Sequence, residues 1–130
     1  MIGLDTNILV RYVMQDDPIQ SKKVTNFIEN NLSEEQLGYI PLIALAEFIW
    51  VLKSCYGLTK DNLIDAIEAL LSTKQFLVER KDVAWKAMRI YQQNSGDYSD
   101  TLIAVIAKND GCSDVITFDK KAQCIGMTLL

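Results

Sequence analysis

Five acids in this chain could do chemistry together: Asp5, which packing alone explains poorly, with Glu47, Asp97, Asp100 and Asp119 as its possible partners. Carboxylates gathered in one pocket repel each other, and at neutral pH protons or cations must compensate. Oxygen donors of this kind suit a hard cation such as Mg²⁺ or Mn²⁺, which keeps several of its waters. Two such ions about 4 Å apart can activate a water and stabilise the leaving oxygen of a phosphodiester. Histidine is absent. That excludes His-based triads, His-ligated metals and a histidine general base, yet it does not hinder a metal-bound water.

Each acid also has a structural reading. Asp5 ends the apolar run Ile2-Gly3-Leu4, at the carboxyl end of a strand where α/β proteins bind ligands. Asp is equally at home there as a helix cap. Glu47 sits within the apolar stretch 42–55, where an unpaired buried acid is costly; its alternative is a polar gap facing water. Asp97 and Asp100 open a very apolar helix, whose free N–H groups welcome acids. Capping is the expected role of Asp97. Asp100, one turn in, would look along the same crevice as Asp5 if its helix packs beside the first strand. Asp119 follows the run Val115-Ile116-Thr117-Phe118 and repeats the placement of Asp5.

The elements that position these residues follow from periodicity. Ile2 to Leu4 reads as a short buried strand. Ile8, Leu9, Tyr12 and Val13 recur at helical spacing until Asp16-Asp17-Pro18. Residues 19–31 form an amphipathic helix with Val24, Phe27 and Ile28 on one face. Gly38-Tyr39-Ile40 reads as a strand, and Pro41 suits the first position of a helix buried on most sides, closed by Tyr56-Gly57. Thr59 caps a helix through Ser72. Residues 75–78 form a strand, 82–93 a helix ended by Asn94-Ser95-Gly96, and 125–130 a final edge strand. Short strands alternating with helices predict an α/β/α sandwich around a mainly parallel sheet of four to five strands.

At 130 residues a single domain, 1–130, is expected, with enough chain to bury a core. Apolar residues make up 49% and charged residues 23%, the balance of a soluble globular protein. No stretch approaches the roughly 20 apolar residues of a membrane span. Because Ile2 to Asp5 is already structural, with no basic and apolar leader, the chain is expected to start at its natural beginning and to work in the cytoplasm. Cys55, Cys112 and Cys124 lack C-x-x-C spacing; buried, inert thiols are expected rather than a disulfide framework or zinc site. A net charge of −4 argues against tight non-specific nucleic-acid binding, unless a divalent cation neutralises converging acids.

Four segments carry a resemblance. Leu4-Asp5-Thr6-Asn7, Ala46-Glu47-Phe48-Ile49-Trp50-Val51-Leu52, Asp97-Tyr98-Ser99-Asp100-Thr101-Leu102-Ile103-Ala104 and Ile116-Thr117-Phe118-Asp119-Lys120 resemble, in order, the motifs of PIN-domain ribonucleases. The chain is most similar to the VapC toxins of bacterial and archaeal toxin–antitoxin pairs. The resemblance implies a metal-dependent endoribonuclease in which Asp5, Glu47, Asp100 and Asp119 bind Mg²⁺ or Mn²⁺. Thr6 would help position the metal site, Asn7 would brace the turn, and Asp97 would be auxiliary. It further implies an RNA substrate, a homodimer and a cognate VapB-like antitoxin whose C-terminal segment covers the acidic pocket. Arg11, Lys53, Lys120 and Lys121 could line an RNA path, with a plain surface charge preferred for Lys53.

Other classes fit less well. A haloacid dehalogenase-like phosphatase needs an acid where Asn7 stands. A response-regulator receiver needs an acidic pair that Thr6-Asn7 does not supply. A dinucleotide-binding fold needs a Gly-rich first turn, absent from Leu4 to Asn7. The stronger alternative is a non-catalytic PIN module that binds RNA or a protein partner.

Overall fold

A computed structural model describes residues 1–130, and the chain divides into two compact units, Met1–Glu79 and Arg80–Leu130. The first unit is built from β1 (Ile2–Gly3), α1 (Thr6–Met14), α2 (Pro18–Asn31), β2 (Gly38–Ile40), α3 (Leu42–Ser54), α4 (Lys60–Ser72) and β3 (Phe76–Val78). Its strands lie in the order β1-β2-β3 and are all parallel, in the register Ile2↔Gly38 and Gly38↔Phe76. Parallel neighbours need long crossovers, and here each crossover is a pair of helices.

Local chemistry sets the element ends. Asp17 accepts from the backbone N–H groups of Ile19 and Gln20, with Pro18 at the first helical position of α2. Thr59 caps α4 through Asn62 N–H. At the end of α3, Leu58 N–H donates to Leu52 O and Gly57 N–H to Lys53 O. Gly57 takes the positive φ of 65° which that closure requires. Gly38 answers a different demand: a Cβ there would stand 2.8 Å from methyls of both Leu4 and Leu32, so any larger residue would make those two side chains shift.

The second unit contains α5 (Lys81–Gln93), α6 (Tyr98–Asn109), β4 (Ile116–Thr117), a 3₁₀ helix (Lys120–Ile125) and β5 (Thr128–Leu129). Helix α5 packs against α6 around Tyr98, a fully buried side chain whose hydroxyl donates to Ala84 O at 3.0 Å. Its ring meets Tyr91 edge-on at 5.6 Å, and burial pushes its phenol far above the usual value. Arg80 holds Asp110 in a two-pronged bridge at 2.7 and 3.1 Å. Strands β4 and β5 are parallel, in the register Ile116↔Thr128, and Ala104, Ala122, Ile125 and Met127 form a small core beside them.

The expected class is borne out: short parallel strands flanked by helices. Several details differ. Pro41 stands at the N-cap of α3 rather than inside it; the Leu42 N–H it leaves open is taken by Glu79 Oε1 at 2.9 Å. Helix α3 is not buried on most sides, since Ile43 is 73% and Trp50 61% exposed. Phe27 also reaches the surface. All three cysteines are free but exposed, because each lies beyond a helix end or in the 3₁₀ turn. That 3₁₀ helix takes the chain up to Ile125, shortening the last strand to two residues. No helix is long and apolar enough to cross a membrane.

Candidate metal and nucleic-acid site

In the first unit, Asp5 stands two residues beyond the end of β1, at the N-cap of α1. Its Oδ1 accepts from Thr6 N–H at 2.8 Å, so the capping reading holds in geometry. One carboxylate oxygen is spent on that bond, and the exposed side chain still faces solvent. Thr6, just behind it, is buried, and its Oγ1 has no hydrogen-bond partner. A buried hydroxyl of this kind is what a bound water or an ion's hydration shell satisfies.

Glu47 is exposed on α3. The gap it looks through is not polar: Ile43 and Trp50, one turn to either side, are also exposed. Helix α1 packs against α3, placing the helices that carry Asp5 and Glu47 side by side. Asn7 is exposed and opens a groove of about 330 Å³ lined also by Ile8, Arg11, Gln20, Lys23 and Val24. Arg11 is held along it, with Nε donating to Gln20 Oε1 at 2.7 Å and one terminal nitrogen to Tyr56 Oη at 3.2 Å and Asp16 Oδ1 at 3.5 Å. Lys23, which the sequence did not single out, is the second cation of this groove.

In the second unit three acids act on one another. Burial first, then the charges of Asp97 and Asp119, push the Asp100 carboxyl above its usual range. Asp97 stands at the N-cap of α6, yet its side chain makes no capping bond; Thr101 Oγ1 donates instead to the Asp97 carbonyl at 2.8 Å. The expected capping role is therefore filled by backbone position alone. Asp119 lies two residues beyond β4 and accepts from Lys121 N–H at 2.9 Å through Oδ1. Lys120 and Lys121 are exposed directly after it, and Phe118 directly before it.

Asp97, Asp100 and Asp119 are thus brought within electrostatic reach, but no three such side chains anywhere in the chain form a closed cage at metal-binding distance. Within each unit the donor chemistry fits a hard divalent cation: in the second, oxygen ligands whose mutual repulsion a positive charge would relieve, and in the first, an orphan hydroxyl beside the Asp5 carboxylate. The exposure of Phe118 and Trp50 was not legible in the sequence, where an apolar residue in a strand or helix reads as core. The one signal was the run Phe118-Asp119-Lys120-Lys121, in which an aromatic leads three charges.

The chain is similar to a VapC ribonuclease of Aquifex aeolicus (strain VF5), 23% identical over 123 residues that make up 95% of this chain and 90% of the relative. Residues 2–125 match the PIN domain. The chain belongs to the PIN-domain family.

Proposed function

We propose that the chain acts as one PIN domain and is a metal-dependent endoribonuclease of the VapC kind, hydrolysing RNA phosphodiester bonds. The observation that carries this reading is the convergence of acids on Asp100, whose carboxyl is raised first by burial and then by the charges of Asp97 and Asp119. Such crowding costs stability and is tolerated where a cation is to be held. Asp5, Glu47, Asp100 and Asp119 are the residues that would hold Mg²⁺ or Mn²⁺, with Asp97 auxiliary. When bound, the cation supplies a water acidic enough to attack phosphorus and a counter-charge for the leaving oxygen.

The chain's own residues do the positioning. Capping bonds from Thr6 N–H and Lys121 N–H fix one oxygen of Asp5 and of Asp119, leaving each carboxylate oriented rather than freely rotating. Thr6 Oγ1, buried and without a partner, would hold a water beside the cation, and Asn7 would brace the turn. Arg11, Lys120 and Lys121 carry the RNA phosphates past the acids. A homodimer, a VapB-like antitoxin over the acidic pocket and a cytoplasmic setting complete the reading.

The test is cleavage of total RNA by the purified, antitoxin-free protein in Mg²⁺ or Mn²⁺, with EDTA and Asp100→Asn as controls. Discrete fragments that vanish in both controls are expected; intact RNA from a folded protein that binds no metal would overturn the reading. The rival reading is a non-catalytic PIN module binding RNA or a protein. It is separated by thermal melting: Mn²⁺ raises the melting temperature of wild type but not of Asp5→Asn if the acids hold metal.

A further inference from the structure

Phe118 is 81% exposed, the most exposed large apolar side chain in the chain. The same position in the equivalent turn, one residue before Asp5, is Leu4, which is 5% exposed and packed against the Gly38 strand. Both turns follow a parallel strand and both end in a capping acid, so burial of the preceding residue is available to the turn architecture; the second turn does not use it. Leaving a phenyl ring in water forgoes the free energy of burying it. The next residues in the chain are Asp119, Lys120 and Lys121, all exposed, and Asp119 belongs to the mutually repelling acids.

An aromatic face flanked by cations is the arrangement that binds single-stranded nucleic acid: bases stack on the ring and the cations track the backbone. A protein partner docked on the ring would have to desolvate two lysines and an acid at its edge, a costly contact unless each is paired. Phosphates supply that pairing for the lysines. We propose that Phe118 is a stacking platform for an unpaired base of the RNA, with Lys120 and Lys121 on the adjoining phosphates. The proposal rests on the nuclease reading above and adds a specificity-determining residue.

The test compares wild type, Phe118→Ala, Phe118→Trp and the double variant Lys120→Ala/Lys121→Ala. Binding is read by fluorescence anisotropy of a short labelled oligoadenylate, and of its duplex with oligouridylate, in Ca²⁺ in place of Mg²⁺. Loss of the ring is expected to weaken single-strand binding by about 5- to 100-fold, with duplex binding unchanged and Phe118→Trp restoring the single-strand affinity. The double variant should flatten the salt dependence. Phe118→Ala binding the single strand as tightly as wild type would overturn the proposal while leaving the nuclease intact. Phe118→Ala turning a dimer into a monomer at unchanged RNA affinity would overturn it too, assigning the ring to a protein contact. Wild type that neither binds nor cuts any RNA would instead sink the nuclease reading itself, and this proposal with it.

Discussion

Asp5 and Asp119 each stand two residues beyond a parallel strand, and each accepts a backbone N–H of the helical turn that follows. What precedes them differs. Leu4 is locked into the core beneath β2, while Phe118 stands in solvent beside two lysines. The first turn is therefore a structural joint that also presents an acid, and the second presents an acid beside an exposed aromatic ring. A capping acid costs the fold nothing, so chemistry can be placed on it without weakening the element. An exposed ring brings no such structural return, and its presence points outward.

The largest test of the comparison is removal of either acid. Asn caps a helix about as well as Asp, so Asp5→Asn and Asp119→Asn should keep the melting temperature near wild type. Each should lower RNA cleavage on the order of 100-fold or more if both hold the ion. Activity surviving one of the two substitutions would break the functional equivalence of the turns.

Next comes packing. Leu4→Ala should lose about 2–5 kcal/mol in urea unfolding, whereas Phe118→Ala should stay within about 0.5 kcal/mol of wild type. Equal losses would show that the two positions are packed alike. Gly38→Ala, which drives a methyl against Leu4 and Leu32, should cost about 1–3 kcal/mol, and relief in the Gly38→Ala/Leu4→Ala double variant would identify Leu4 as the clashing neighbour.

The smallest effects are those of pH. Asp100 titrates above its usual value near 3.8, so its contribution to stability is full below that value and is lost as pH rises through its raised folded value. Asp100→Asn should therefore melt higher than wild type at neutral pH without metal, and the gap should close on acidification. Asp110 behaves oppositely. Arg80 holds its carboxyl low, so its contribution is present above pH 3.8 and lost as pH falls through the depressed folded value. Asp110→Asn should melt lower than wild type at neutral pH, with a small difference because the pair is exposed. An acid-stabilised Asp110→Asn difference would reverse that assignment.

Much of this protein was legible in its residues alone. Strand and helix positions, the stops at Asp16-Asp17-Pro18 and Gly57, the cap at Thr59 and the four acid-bearing segments follow from periodicity and from backbone hydrogen-bonding rules. Those interactions span only a few residues, so a short window of sequence contains both partners. Exposure and titration do not work that way. Whether Phe118, Trp50 or Cys124 meets water depends on what is packed above it. That Asp97 leaves its carboxylate out of the cap, and that Asp100 feels Asp119 from 19 positions away in the chain, depends on where α6 and β4 come to rest. Burial and charge act through space, and only the tertiary structure decides who the neighbours are.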